Sequence, residues 1–168
     1  MSQLSESKKT PKIFGYKLLQ ADLRSLNGKF QYIADQWVEV PGDGCYVAVS
    51  GGLYAGGDGP VLVQVECKVK VPGTSEHTPE GVVCFRQVKV SPITDPAVLE
   101  RLSHDKHWEV RRAAAAQITD PAVLERLSHD KRWEVRRAAA ERITDPAVLE
   151  RLMHDEDRRV RRAAAERF

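Results

Sequence analysis

Ile93-Thr-Asp-Pro-Ala-Val-Leu-Glu-Arg-Leu-Ser-His-Asp-Lys-His-Trp-Glu-Val-Arg-Arg-Ala-Ala-Ala-Ala-Gln117 is followed by two more versions of itself, Ile118 to Arg142 and Ile143 to Arg167, a period of 25 residues. The first two copies differ only at His107/Arg132, Ala116/Glu141 and Gln117/Arg142. A repeat of this length marks a stacked solenoid, because one unit cannot bury its apolar face and a neighbour must complete the core. About three copies are the fewest that suffice.

Each copy reads as two short helices. Asp95 stands as an N-cap whose carboxylate accepts from the orphan N–H groups of the first turn, and Pro96 at N1 lacks an N–H that would have had no partner. Val98, Leu99 and Leu102 then form one inward stripe, with Glu100 and Arg101 facing water. The run Ser103 to His107 breaks this helix, and a second extends from about Trp108 to Ala116. Its Val110, Ala113 and Ala114 share a face, and small alanines let adjacent repeats approach closely. Ile118 fills the junction to the next copy.

The spacing Leu-x-x-Asp-x-x-x-x-Val-Arg-x-x-Ala-Ala, at Leu102, Asp105, Val110, Arg111, Ala114 and Ala115 and again in the later copies, resembles the HEAT-like and leucine-rich-repeat-variant families of helical solenoids. The resemblance implies a ladder between repeats, built by Asp105, Asp130 and Asp155 with Arg111, Arg136 and Arg161. The iron–sulfur protein of the variant family carries a cysteine cluster ahead of its repeats. This chain has none there, so the resemblance brings no metal and no cofactor with it.

The whole chain of 168 residues accommodates two small units, a solenoid over 93–168 and a β-rich domain over 12–92, after a polar, disordered tail over 1–11. The net charge of +2 is nearly even along the chain: 10 basic and 9 acidic residues up to Pro92, then 16 and 15. Neither half is a polycation that binds nucleic acid by bulk charge. There is no apolar run long enough for a membrane helix, and Met1 to Lys9 lacks the apolar core of a signal peptide, so a soluble, cytoplasmic protein is expected. Cys45, Cys67 and Cys84 have no CxxC spacing and fit reduced thiols; a zinc site joining them to His77 is the weaker alternative.

Strand patterns occupy Ile13–Leu18, Phe30–Ile33, Trp37–Val40, Cys45–Val49, Val61–Val71 and Val82–Val90, with a short helix over Gln20–Ser25. In Val61–Val71 every odd residue is apolar, so this strand and Val82–Val90 should pair antiparallel with one face in the core and one in water. Phe14-Gly-Tyr-Lys17, Gly44-Cys-Tyr-Val-Ala48 and Gly81-Val-Val-Cys-Phe-Arg-Gln-Val-Lys-Val90 resemble an uncharacterised β-rich domain of bacterial and phage proteins, some of which carry helical repeats directly after it. The resemblance implies architecture and no chemistry. Gly51-Gly52 and Gly56-Gly-Asp-Gly59 follow a strand as in a phosphate loop, but Pro60 and another strand come next, where a phosphate loop needs a helix N-terminus. A hairpin with Leu53 and Tyr54 at its tip, open to a partner, is the better reading.

No nucleophile–base pair or paired carboxylate stands out; His77 lies in a polar loop near Glu76 and Glu80. A non-enzyme is expected, with an ADP-ribosyltransferase-like activity of the β-rich domain as the remote alternative. The positions that vary among the copies lie at the inter-helix turn and the start of the second helix. There Trp108, Trp133 and Arg158 would line up as a ridge, flanked by His107 and Arg132. Trp and Arg dominate interface hot spots, though the same tryptophans would also serve to cover the repeat junctions. His104, His129 and His154 recur as well, and bonding to the turn backbone suits them better than binding metal. Arg112, Arg137 and Arg162 form a second line that could follow a phosphate backbone. The expectation is an α+β protein, a small antiparallel β-rich domain capping a three-repeat α-solenoid, with Phe168 helping to close the far end. Its function would be to bind a protein partner, in one version as a phage-borne inhibitor of a host defence complex; binding of nucleic acid is the competing class.

Overall fold

The structure, a computed structural model, describes residues 13–20, 22–23, 30–40, 45–48, 61–70 and 82–168. Five strands come first, β1 (Ile13–Leu19), β2 (Trp37–Glu39), β3 (Cys45–Ala48), β4 (Val61–Lys70) and β5 (Val82–Pro92), followed by six helices. β4 lies antiparallel between β1 and β5, paired from Ile13↔Cys67 to Leu19↔Val61 on one edge and from Val63↔Pro92 to Lys70↔Phe85 on the other. The far edge of β5 takes β3 at Phe85 to Val82 and β2 at Lys89 to Gln87, and β3 reaches β1 at Tyr16↔Ala48. The sheet therefore curls and closes on itself.

The alternation along β4 decides which face is inside. Val63, Val65 and Cys67 are buried together with Leu19, Val88 and Val90, and Tyr32 and Val40 close over them. The opposite face is not wet as expected. Leu18 belongs to the apolar core of the repeats, α2 lies against β4, and Glu66 is buried beside Lys89 at 3.3 Å. The first repeat covers what would otherwise be the solvent side of the sheet.

Two expected elements are absent. Residues 30–33 form a loop in place of a strand: Phe30 stacks edge-on against Tyr32 with centroids 5.0 Å apart, and the backbone passes on through Asp35 at φ 59. Their alternating aromatics serve as a lid on the sheet core. In Gln20–Ser25, Leu23 donates its N–H to the Gln20 carbonyl in a turn and sits at φ 63, which no right-handed helix admits. The glycine-rich segment with Leu53 and Tyr54, and His77 with its loop, lie outside the described residues, as do the side chains of Cys45 and Cys84.

Each repeat is a helix pair: α1 (Pro96–Leu102) with α2 (Trp108–Ala115), α3 (Pro121–Leu127) with α4 (Trp133–Ala140), and α5 (Pro146–Leu152) with α6 (Arg158–Ala165). Asp95, Asp120 and Asp145 cap the first helices, accepting from the N–H two residues on at 2.8–2.9 Å. Helices of seven or eight residues do not persist alone in water, so stability must come from the stack. Ile93, Ile118 and Ile143 are buried at the junctions. The second helices pack directly on one another while successive first helices stand apart, so the stack bends toward α2, α4 and α6.

Arg101, expected in water, instead begins a hydroxyl ladder. Arg126 donates to Ser103 Oγ and Arg151 to Ser128 Oγ, each reaching back one repeat. Both serines are fully buried and pass their own hydrogen to a carbonyl one turn earlier, Glu100 and Glu125, at 2.6 Å. Arg101 has no preceding repeat and donates to the Tyr16 hydroxyl of β1 at 2.9 Å, its guanidinium 5.3 Å from the ring centre. The sheet thus presents to the first repeat the acceptor that each repeat presents to the next. Phe168 does not close the far end; it is 69% exposed. No helix among the described residues is long and apolar enough to cross a membrane.

Ala140 is completely buried, whereas Ala165, at the same place in the third copy, is exposed. Ala140→Leu should lower the unfolding free energy by about 1–3 kcal/mol in urea titrations, and Ala165→Leu should change it by less than about 0.5 kcal/mol.

Candidate partner-binding face

Two paired rungs fix the geometry of the second helices. Arg111 Nε and Nη2 donate to the two Asp130 carboxylate oxygens at 2.7 and 3.0 Å, and Arg136 does the same to Asp155 at 2.8 and 2.9 Å. Such forked, charge-assisted pairs hold both distance and plane. The third nitrogen of each guanidinium, Nη1, is tied to the carbonyl of its own turn, at Asp105 (2.8 Å) and Asp130 (3.0 Å). The ladder implied by the resemblance is therefore present between consecutive copies, with Asp105 at its head and Arg161 at its foot. Burial pushes the Asp130 carboxyl up, but the Arg111 side chain, the Arg132 backbone N–H and the charges of Arg111 and Arg136 outweigh it, leaving the group below its ordinary 3.8. For Asp155 burial is likewise overcome, by Arg136, the Asp157 N–H and the charge of Arg161.

The ridge expected at Trp108, Trp133 and Arg158 takes a different form. Both indoles are half-buried against the apolar core, and arginines roof them. The Arg132 guanidinium lies 4.8 Å and that of Arg112 5.7 Å from the Trp108 ring centre, and Arg159 lies 4.1 Å from that of Trp133. Each such contact is worth about 0.5–2 kcal/mol. The tryptophans thus cover the junctions, and the exposed element of the line is Arg158. His107 precedes α2 as its N-cap without a side-chain capping bond.

The roof over Trp133 comes from Arg159, at one of the positions that vary among the copies. In the second copy Arg132 covers the previous tryptophan and pairs with Glu134 at 2.9 Å. In the third copy the signs exchange: Asp157 caps α6, accepting the Arg159 N–H at 2.8 Å, and Arg159 becomes the cover. The signal was in the triplets Arg132-Trp-Glu134 and Asp157-Arg-Arg159, where the charge moves from one side of the central residue to the other.

The arginine line is uneven. Arg137 pairs with Glu141 at 2.9 Å and Arg162 with Glu166 at 2.7 Å, each one helical turn on, while Arg112 lies over Trp108. Copy one has Ala116 where the others have Glu141 and Glu166. There a groove of 270 Å³ opens between α2 and α4, with Ala116 and Ala138 as apolar surface, Trp133 as a wall, and Arg112, Arg137 and Glu141 at the rim. The corresponding groove between α4 and α6 has charged side chains all round except Ala163. Wider grooves of 450 and 560 Å³ separate the first helices, but their linings include the same Thr, Pro and Ile positions in successive copies. They follow from the bend of the stack.

Among the described residues no group of His, Cys, Asp and Glu is arranged to hold a metal ion. His154 Nδ1 lies 3.0 Å from the Glu150 carbonyl oxygen, the backbone contact expected of the recurrent histidines.

Residues 96–120 match the family described as HEAT repeat, and residues 133–157 match the leucine rich repeat variant family. Each match spans one repeat length, and both fall in the helical half. No curated protein and no solved structure matches the chain. Fold and matches together define the class: an α+β protein in which an antiparallel sheet leads into a HEAT-like helical solenoid.

Removing one member of a buried pair leaves the other charge stranded. Asp155→Ala should therefore cost about 3 kcal/mol in denaturant unfolding, against about 1 kcal/mol for Asp105→Ala, which loses one bond to the His107 N–H. Both rung carboxyls titrate lower folded than unfolded. Their contribution is thus present above 3.8 and lost as the pH falls through the depressed values. Acid titration of Asp155→Ala should show a shallower loss of stability in that window than the parent chain.

Proposed function

We propose that the chain is a non-catalytic protein-binding module that acts through the second-helix face of its repeats. Helical repeats of this kind typically mediate protein interactions, and the observation that carries the reading is the groove beside Ala116. Its mix of small apolar surface, one tryptophan wall and a charged rim is the composition of an interface centre. The roofing arginines restrain Trp133 at little further entropic cost on binding.

The competing reading, nucleic acid along Arg112, Arg137 and Arg162, is weakened by the pairing of the last two with Glu141 and Glu166. Such a line alternates in charge, whereas a phosphate track needs a run of unneutralised cations. The version in which the partner is a host defence complex rests on the resemblance of the β-rich half alone. An ADP-ribosyltransferase-like activity of that half is drawn from no residue on the face described.

Ala116→Glu installs the side chain that the other two copies already carry and places it one turn from Arg112. Its thermal midpoint should match the parent, since an i,i+4 pair is worth only about 0.3 kcal/mol. In pull-downs from nuclease-treated lysate, a protein captured by the parent chain should be lost from this variant. Capture that survives Ala116→Glu, or that disappears with nuclease in the parent, would remove the groove from the reading.

A further inference from the structure

The first two copies treat their tryptophans differently, and the difference falls on the groove beside Ala116. Two guanidiniums lie over the Trp108 ring, that of Arg132 from the next copy and that of Arg112, one helical turn on in α2. Trp133 keeps a counterpart of the first, Arg159 at 4.1 Å, and has none of the second among the described residues. Arg137 stands to Trp133 as Arg112 stands to Trp108, but it is drawn away to Glu141, at the position where copy one has Ala116. Trp133 is thus left as an open wall of the groove, with Ala116 and Ala138 as apolar surface beside it.

The same groove contains a carboxylate with half its capacity unused. Glu134 lines it, accepts from Arg132 through Oε1 at 2.9 Å, and holds Oε2 buried with no donor among the described residues. An acceptor left in that condition destabilises the fold and gains from any donor a ligand supplies. The terminal torsion of a glutamate is soft, so the carboxylate can turn Oε2 toward a donor arriving in the groove.

We propose that the groove receives an arginine side chain of a protein partner, with its guanidinium over Trp133 in the place that Arg112 takes over Trp108, donating to Glu134 Oε2. This occupant deepens the protein-binding reading and rests on it. The ligand chemistry is taken from copy one, where Arg112 and Arg132 share one indole and Glu134 is the carboxylate paired with Arg132, so two guanidiniums over a single ring are already accommodated in this chain. At 270 Å³ the groove is smaller than pockets that enclose drug-sized ligands, and it suits one long side chain. Its alanines give the methylene stem an apolar bed. A planar guanidinium can lie on an indole and fork to a carboxylate at once, which the compact ammonium of lysine cannot.

The test is NMR of the full chain, following the indole N–H signals of Trp133 and Trp108, each assigned by its loss in Trp133→Phe or Trp108→Phe. The probes are the end-blocked tripeptide Gly-Arg-Gly and its citrulline counterpart, which keeps the shape of the side chain but replaces the charged end by a neutral urea. The arginine peptide should move the Trp133 signal to saturation and leave Trp108, which already has its two guanidiniums, nearly in place. The citrulline peptide should move Trp133 much less. Glu134→Gln should weaken arginine binding about ten-fold with helical circular dichroism unchanged, the loss expected for one charge-assisted hydrogen bond. Glu141→Ala, which frees Arg137 to cover Trp133 from within, should weaken it too. No saturable shift at Trp133, an equal shift with the citrulline peptide, or an affinity unchanged by Glu134→Gln would each overturn the proposal. Lysate capture lost in Ala116→Glu beside an unresponsive Trp133 would overturn the arginine and leave the groove standing, so the two readings fail separately.

Discussion

No repeat in this chain is finished by its own residues. Helices of seven and eight residues lie below the length at which backbone hydrogen bonding repays nucleation, and the first two copies each turn a buried hydroxyl and an oriented guanidinium toward the copy that follows. The Arg136–Asp155 rung shows the dependence plainly, since both side chains are about nine-tenths buried. Burial on that scale is tolerable only because the fork satisfies both carboxylate oxygens while Nη1 is held by a carbonyl of its own turn. The alanine packing of the second helices and the isoleucines at the junctions depend on the spacing that these rungs set.

The sheet belongs to the same system. Tyr16 gives Arg101 a hydroxyl and a ring face, and Leu18 enters the core that continues through the repeats. A first copy left bare would expose that apolar surface and leave Arg101 without the hydroxyl it donates to. The β-rich half therefore stands as a neighbour of another fold type, and Glu66, buried on the face next to α2, shows how far its nominal solvent side has become interior.

What could be read from the sequence followed from periodicity. The 25-residue period, the Asp-Pro starts, the buried stripe and the alternation of β4 are local patterns with one physical reading each, and the structure carries them. Phe30 to Ile33 misled because aromatic alternation is what a strand and a lid have in common, and only the left-handed Leu23 and Asp35 around it separate the two. The hydroxyl ladder was invisible for a different reason. Arg101 and Ser103 look like surface and turn residues in one copy, and their meaning lies in partners 23 or 85 residues away. The roofing of the tryptophans is not legible within one copy, because Arg132 and Arg159 reach back from the copy that follows.

Near-identical copies pose a problem of register, because a chain whose second copy could replace its first has several stackings of similar energy. The differences among the copies bear on that problem. Only the first copy can meet Tyr16 without displacing a repeat. Only the third has Met153 in place of the serine, and only there do Asp157 and Arg159 exchange charge while still covering Trp133. A stack shifted one copy toward the sheet would put Met153 at the place of Ser128, where the arginine of the next repeat would find no hydroxyl. Ala116 fits neither pattern. It relieves no junction and fixes no register, and replacing it with glutamate would repeat a pairing the chain already makes twice. A position released from both constraints, at the edge of a groove walled by Trp133, is where selection for a partner has most freedom to act.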